Sequence, residues 1–543
     1  MRRKVTGVAI LAAAALAIAA CGGGQSKDPT SSAAPSPTGS SSSAAPVDTV
    51  FTYAPNLEVV TEWDPAKSYS NELIAMQNIY ESLTRYDITT QKTVGVLAES
   101  WTVSADGLEW TFTLRPGVTF HTGRALDATA AKEALDRTIA IGAGAAYIWG
   151  AVKEITAVDA TTLKFTLSYP VALDQVAAAA YASYIYDVKA APEAELEAWF
   201  NKGNDAGTGP YTIASYEKGA EVEVSLKANP DYWGGWDGTH YDTVNFRVTP
   251  EVTTAWQLVQ TGDVDFIQRA NPEIFEQAKA TPTVQVSETG SFQNLLALYN
   301  TASGPLADVR VRKAIQLAVD YDGLLAALKG SAVAASGFVP EGLLGYTAGL
   351  AGKQDLTAAA ALLKEAGYGE GGKPLSLVMT YAQGDDAQQT LATLLSSAIQ
   401  TLGGTLDARP MEWNAQWDMA KSTDTAGRQD IFVMYWYPDY ADAYSWPFNL
   451  YVGSEEPFFN LSYYNDPALN AEIEALPALT VNDPAAAQAA YEKINTQVTN
   501  ELALSSYFYV QNYQRILAGN VKGYVDNPAY PNVTRVYDMS PAS

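Results

Sequence analysis

The chain has 543 residues, of which 47% are hydrophobic and 11% aromatic, enough to build more than one hydrophobic core. It carries 60 acidic against 34 basic residues, which gives a formal net charge of −26. This balance argues against a nucleic-acid partner, because such binding needs a basic surface. A single cysteine excludes an intramolecular disulfide bond.

The first 21 residues have the pattern of a lipoprotein signal. Residues 2–4 are basic, residues 5–17 are apolar and alanine-rich, and Ile18-Ala19-Ala20-Cys21 resembles a bacterial lipobox. We therefore expect residues 1–20 to be a signal peptide and Cys21 to carry the lipid that anchors the protein to the extracytoplasmic face of the cell membrane. The alternative is an ordinary signal peptide with an incidental cysteine. Residues 21–48, rich in Gly, Ser, Thr, Ala and Pro, are predicted to form a flexible linker.

From Thr49 onward the hydrophobic patterns alternate between those of strands and those of helices. Apolar residues alternate with polar ones on both sides of Ala105-Asp106-Gly107, which predicts a β-hairpin. Helices are predicted over 126–139, 253–262 and 388–402, and the third has the spacing of a helix lying on a sheet. This alternation predicts mixed α/β lobes.

An aromatic and acidic loop over 435–446 follows the apolar strand 431–434. Asp439 follows Pro438 and Asp442 comes three residues later, so both acids are predicted to lie on a loop. Such a loop suits a ligand with a flat or apolar body and a cationic or hydroxyl-rich end. The alternatives are that the rings close a core, that Asp439 only caps the loop and that Asp442 faces solvent. Trp413 is predicted at the end of another strand.

Five motifs occur in order along the chain. They are the run 98–121, Gly207-Thr208-Gly209-Pro210-Tyr211, residues 227–235, residues 306–315 and the predicted helix 358–368. Together they resemble the family 5 extracellular solute-binding proteins of ABC importers, the oligopeptide, dipeptide and nickel-binding group. The resemblance covers about residues 49–535, and one departure, His121-Thr122-Gly123-Arg124, falls in a loop.

The resemblance implies an α/β, two-lobed periplasmic-binding-protein type II fold of cluster C, with an extra subdomain in the first lobe. Lobe I is expected over 49–90, 205–290 and 505–543, its extra subdomain over 91–204, and lobe II over 291–504. The hinge between the lobes is expected near 287–297 and 501–507.

The resemblance also implies a function. In peptide-binding members an aspartate three residues after the tryptophan of this segment binds the α-ammonium group of the ligand, and the matching position is Asp439. We therefore expect a monomeric receptor that captures an oligopeptide or dipeptide-like solute and delivers it to an ABC permease with its ATPase subunits, without a cofactor or resident metal. The expected ligand-binding residues are Asp439, Trp436, Tyr437, Asp442, Tyr440, Trp413, Tyr299, Asn300 and Tyr69.

Other functions remain as alternatives. The 12 Trp and 32 Tyr would also suit an oligosaccharide receptor of the same family. A secreted hydrolase or a directly bound nickel ion fits poorly, because only His121 and His240 are available and HExxH is absent, although a metal chelate stays open. A lipid-anchored adhesin is a further option. Residues 367–374 come close to a P-loop, but we expect a helix before them and a strand after, the reverse of that motif.

Overall fold

A computed structural model describes residues 49–369, 371–454 and 458–542. The predicted signal peptide (1–20), the lipidated Cys21 and the linker (21–48) lie outside the described residues. No helix in the described ranges combines the length and the apolar character that crossing a membrane requires.

The described chain contains strands β1–β19 and α-helices α1–α15. The strands are β1 Val50–Ala54, β2 Thr84–Asp87, β3 Lys92–Gly95, β4 Ala98–Val103, β5 Glu109–Leu114, β6 Val152–Ala157, β7 Thr162–Leu167, β8 Tyr211–Tyr216, β9 Val222–Ala228, β10 Thr243–Arg247, β11 Phe266–Ile267, β12 Val284–Tyr299, β13 Ala332–Ala334, β14 Ser376–Ala382, β15 Thr405–Met411, β16 Ile431–Trp436, β17 Ser505–Ala518, β18 Val521–Lys522 and β19 Ser540–Pro541. The helices are α1 Leu73–Met76, α2 Ala128–Ile141, α3 Leu173–Val176, α4 Leu196–Phe200, α5 Val252–Thr261, α6 Pro272–Lys279, α7 Val309–Ala318, α8 Tyr321–Ala327, α9 Leu356–Glu365, α10 Asp386–Thr401, α11 Trp413–Ala420, α12 Ser445–Tyr451, α13 Pro467–Glu474, α14 Leu476–Asn482 and α15 Pro484–Thr496.

The largest sheet is mixed and has the strand order β15-β14-β16-β12-β17-β11-β1-β10-β9-β8, with β13 paired to β17. Strand β1 is parallel to β10 and β11, and β14 is parallel to β15 and β16, while the other pairings are antiparallel. Strands from both halves of the chain therefore share one sheet.

The two long strands β12 and β17 connect the two ends of this sheet. They pair antiparallel from Val284↔Ala518 to Leu298↔Ser505, with an irregularity between Gly290 and Asn294. One end of the pair contacts β11, and the other contacts β16. The predicted hinge segments 287–297 and 501–507 fall on this strand pair, although their role as a hinge stays a prediction, as do the lobe boundaries.

A separate four-stranded antiparallel sheet, β4-β5-β7-β6, lies within residues 91–204, the range predicted for the extra subdomain. The predicted hairpin is confirmed as β4 and β5. Its turn is fixed locally, because Gly107 adopts a positive φ of 71° and its N–H donates to the Ser104 carbonyl at 2.9 Å. Asp106 accepts from the Leu108 N–H at 3.1 Å.

The predicted amphipathic helix is confirmed as α10. Leu391, Leu395 and Ala398 are buried in a core that also contains Met379 of β14 and Val433 of β16. The helix thus covers one face of the sheet beside β16, as its apolar spacing predicts. Strand β16 is buried as predicted, which makes its end a rigid support for the loop that follows.

Candidate ligand-binding site

The loop between β16 and α12 encloses the Asp439 carboxylate. This side chain is buried, with only 5% of the residue exposed. It accepts hydrogen bonds from the hydroxyl of Tyr147 at 2.7 Å, the hydroxyl of Tyr181 at 3.1 Å and the amide of Asn449 at 3.2 Å. The hydroxyl of Tyr530 donates to the Asp439 carbonyl at 2.9 Å. Three distant parts of the chain therefore meet at this acid.

The donors around Asp439 are neutral. Burial raises the pKa of the Asp439 carboxyl, while hydrogen bonds from Tyr147 and other neighbours act in the opposite direction. In the described ranges no lysine, arginine or histidine forms an ion pair with it. Asp439 is thus a buried acid without a cationic partner. A bound cation would supply the missing opposite charge.

Asp442 has a different role in the same loop. Its carboxylate accepts from the Tyr444 N–H at 2.7 Å and from the Tyr491 hydroxyl at 3.4 Å, and burial raises the pKa of its carboxyl. The residue is half-buried rather than facing solvent. Asp442 therefore fastens the beginning of α12 to α15, and its place among the ligand-binding residues stays a prediction.

A chain of aromatic rings connects the predicted residues Trp413 and Trp436. Trp413 meets Trp417 edge to face at 5.3 Å, Trp417 meets Phe459 at 5.6 Å, and Phe459 meets Trp436 at 5.0 Å. Phe459 also lies 6.3 Å from the ring of Tyr147, which holds Asp439. The structure thus brings Trp413 and Trp436 into one cluster beside the acid, although Trp413 begins helix α11 and does not end a strand.

Tyr437 lies where several charged groups converge. Burial raises the pKa of this half-buried tyrosine; the charges of Asp439 and Glu72 act in the same direction and that of Arg269 in the opposite one. The predicted Tyr69, which is 53% exposed, also acts on its hydroxyl. Tyr440, by contrast, is buried next to the loop acids. Tyr437 and Tyr69 are therefore the predicted residues that are at least partly exposed and lie within electrostatic range of each other.

The structure does not bring Tyr299 and Asn300 to this loop. The Tyr299 hydroxyl is buried and 2.6 Å from the Ser506 hydroxyl, and the Asn300 amide contacts the Gln429 carbonyl. Tyr299 pairs with Ile431 at the beginning of β16, because β12 runs antiparallel to β16. At about 3.3 Å per residue, the six-residue strand separates Tyr299 from the Asp439 loop by roughly 20 Å. The prediction that these two residues reach the ligand alongside Asp439 is not supported by this register.

Several residues of the site carry no signal in the sequence. Tyr147, Tyr181 and Tyr530 belong to no motif that separates them from the other tyrosines among the chain's 32. Arg269 is exposed and stands two residues after β11. Its charge acts on the hydroxyls of Tyr435, Tyr437 and Tyr509. It forms no ion pair with any described residue. The sequence shows only that an arginine stands shortly after an apolar strand, and it does not show that this arginine lacks a partner.

The two histidines are engaged elsewhere. His121 is buried between the Asp205 carboxylate and the Gly209 carbonyl, and His240 stacks on Trp236 with ring centroids 4.1 Å apart. Over the described part of the chain, no group of three or more His, Cys, Asp or Glu is arranged to hold a metal ion.

The described fold thus combines a mixed sheet, two long connecting strands and an enclosed acid with neutral donors. The profile described as "Bacterial extracellular solute-binding proteins, family 5 Middle" matches residues 92–457, well over half of the chain. The chain belongs to this family of non-enzymatic transport receptors, as the sequence motifs predicted.

Individual relatives agree with this assignment. The chain is 28% identical over 490 residues to the "Probable D,D-dipeptide-binding periplasmic protein DdpA" of Escherichia coli K12, covering 88% of this chain and 92% of the relative. DppA of Helicobacter pylori in complex with the peptide STSA superposes with a TM-score of 0.79 at 22% identity, over 91% of this chain and 98% of that one. NikA of Brucella suis in complex with Fe(III)-EDTA superposes with a TM-score of 0.77 at 21% identity, over 91% of this chain and 100% of that one. These likenesses confirm the predicted periplasmic-binding-protein fold.

Proposed function

We propose that this chain is the receptor of an ABC importer and captures a dipeptide or short oligopeptide, whose α-ammonium group binds Asp439. The observation that carries the proposal is the buried Asp439 carboxylate, which has three neutral hydrogen-bond donors and no cation among its described neighbours. A ligand ammonium supplies that charge. Charge-assisted hydrogen bonds are stronger than neutral ones, and more so where water is excluded.

Arg269 extends the proposal to the other end of the ligand. The hydroxyl of Tyr437 lies within electrostatic range of both the Asp439 carboxylate and the Arg269 guanidinium. A solute with a cationic and an anionic group suits this pair of charges, and a short peptide has both at its termini. The aromatic rings around Trp436 and Trp413 offer apolar surface for its side chains.

The transport cycle follows from contacts that join distant segments. Tyr147, Tyr181 and Tyr530 come from the ranges predicted for lobe I, whereas Asp439 comes from the range predicted for lobe II. A ligand that binds both sets favours the closed arrangement and shifts the population toward it. The permease then recognises the closed receptor, which Cys21 holds at the extracytoplasmic face of the membrane as a lipid-anchored monomer. ATP hydrolysis belongs to the ATPase subunits.

Paired ligands test the proposal. Binding of dipeptides and of the same dipeptides with acetylated amino termini is measured by calorimetry for the full-length chain and for Asp439→Asn. We expect the wild type to prefer the free amine by at least tenfold, and Asp439→Asn to lose that preference, since removing one partner of a buried charge pair costs several kcal/mol. Asp237→Asn, at an exposed acid, is the matched control. Equal binding of both peptide forms by the wild type would refute the ammonium assignment.

The class of solute can be identified from ligand that stays bound to the purified protein. Native mass spectrometry of gently purified protein, followed by denaturing analysis of what is released, is expected to give peptides. A hexose-spaced ladder would instead support the oligosaccharide alternative.

A further inference from the structure

A second cavity, of about 330 Å³, lies apart from the Asp439 loop. Its walls are α7, α9, the segment 349–353 that precedes α9, and residues 499–507 at the beginning of β17. None of the residues that hold Asp439 lines it. The cavity therefore belongs to a different part of the fold from the proposed peptide site.

Two lysines, Lys313 on α7 and Lys353 before α9, line this cavity. Lys313 is half-buried and Lys353 is exposed, and neither forms an ion pair or hydrogen bond with its side chain to the described part of the chain. No acidic residue occurs among the described residues that line the cavity. In a chain with 60 acidic and 34 basic residues, two lysines in one cavity without acidic neighbours are an unexpected local concentration of positive charge.

The nearby acids are already used by helices. The Asp320 carboxylate accepts from the Gly323 N–H at 2.8 Å, and the Asp355 carboxylate accepts from the Ala358 N–H at 2.9 Å, each capping the helix that follows. These bonds hold the two carboxylates at helix N-termini, where the helix dipole favours them. Among the described residues, neither carboxylate forms an ion pair with Lys313 or Lys353.

The segment before α9 adds backbone donors. Among the described residues, the N–H groups of Ala351, Gly352 and Lys353 find no hydrogen-bond acceptor. The segment packs closely on α8, because a Cβ at Gly352 would lie 2.2 Å from the ring of Tyr321. Free backbone N–H groups beside lysine side chains are the donors that bind anions in proteins.

The rest of the lining decides what kind of anion fits. Leu317, Leu350, Leu362 and Tyr321 give apolar surface, and Gln316 and Asn500 give polar surface. The volume is at the lower end for small-molecule sites. We propose that this cavity is a second binding site for a small organic anion, whose carboxylate or phosphate group is bound by Lys313 and Lys353.

Binding of two probes, citrate and glucose 6-phosphate, to the full-length chain tests the proposal by calorimetry at low and at moderate salt. Citrate represents a carboxylate source and glucose 6-phosphate a phosphate source, with glucose as the uncharged comparison. We expect at least one anion to bind and glucose not to bind, with affinity falling as salt rises. The anion that binds identifies the preferred group.

Three variants make the result specific. The double variant Lys313→Gln/Lys353→Gln is expected to lose at least tenfold in anion affinity, and Lys353→Glu, at an exposed position that tolerates the change, to lose at least as much. Lys153→Gln/Lys522→Gln removes the same charge from two exposed lysines elsewhere and is expected to keep the affinity. The proposal is overturned if neither anion binds, if the control loses as much, or if Asp439→Asn abolishes anion binding, which would place the anion in the peptide site.

Discussion

The hydroxyl of Tyr147 donates to the Asp439 carboxylate at 2.7 Å, although 292 residues separate the two in the chain. Tyr147 precedes the four-stranded sheet's β6, and Asp439 follows β16 of the large sheet. This contact joins two ranges that the sequence assigns to different lobes. The hydrogen bonding of the Asp439 carboxylate therefore depends on the position of residues 91–204 relative to residues 291–504.

Substitution of Tyr147 by Phe is expected to weaken binding of a free-amine dipeptide by about 10- to 150-fold. The ionised carboxylate loses one of its donors, and a hydrogen bond to a charged group contributes about 1.5–3 kcal/mol. Calorimetry against the wild type measures the change. Tyr346→Phe removes a half-buried phenol hydroxyl outside the site and serves as the matched control. Unchanged affinity in Tyr147→Phe would show that the contact does not support the ligand-binding form of Asp439.

Peptide affinity is also expected to depend on pH through Asp439. Burial raises the pKa of this carboxyl above its ordinary value of 3.8, so as pH falls the acid takes up a proton before an ordinary aspartate would. Because the ionised form binds the ammonium group, affinity should fall with a midpoint above pH 3.8. Titrations between pH 4 and 8 measure this, and Asp439→Asn should lack the dependence. A wild-type profile identical to that of the variant would contradict the assignment.

The buried pair Arg515 and Asp526 is expected to be a major contributor to stability. Their side chains are 4% and 0% exposed and lie 3.0 Å apart, and Arg515 also donates to the Pro531 carbonyl at 3.1 Å. Asp526→Asn leaves a buried guanidinium without its partner and should lower the free energy of unfolding by about 3–5 kcal/mol.

Urea denaturation measures this loss. The surface pair Arg535 and Asp538, 3.1 Å apart with 46% of the acid exposed, provides the comparison. Asp538→Asn should cost less than about 1 kcal/mol, since solvent screens exposed pairs. A similar loss in both variants would show that burial does not set the strength of the first pair.

His121 should make the stability of the protein depend on pH. Burial favours the neutral ring, but the Asp205 carboxylate outweighs it, and the net effect raises the pKa of His121 above its ordinary 6.5. Protonated His121 therefore stabilises the folded chain fully below pH 6.5, and this contribution is lost as pH rises through the higher folded-state pKa. The stability difference between wild type and His121→Gln should be larger at pH 6 than at pH 9 in urea denaturation. A stability difference that grows toward pH 9 would contradict a raised pKa of His121.

Local patterns explain what could be predicted. The hairpin of β4 and β5 depends on Gly107 and on alternating side chains, and helix α10 on the spacing of Leu391, Leu395 and Ala398. The motifs between residues 98 and 368 were enough to assign the family. The loop position of Asp439 was predicted from Pro438 and the buried strand before it, whereas its ligand-binding role was implied by the family resemblance and stays a prediction.

Tyr299 and Asn300 show where a local pattern is insufficient. Tyr299 ends the apolar strand β12 and Asn300 follows it, and their contact with a ligand stays a prediction. The antiparallel register of β12 and β16 places them at the opposite end of β16, where Tyr299 packs in the core. A one-dimensional pattern gives the end of a strand but not the direction of its neighbour.

The sequence by itself determined the family, the class of fold and the acid at the end of β16, because these depend on residues close together in the chain. Only the tertiary structure decided the partners of that acid. Tyr147, Tyr181 and Tyr530 reach Asp439 from segments far away in sequence, and the charge of Arg269 acts on Tyr437 although 168 residues separate the two in the chain. Such contacts depend on long-range strand pairing, which no short stretch of sequence encodes.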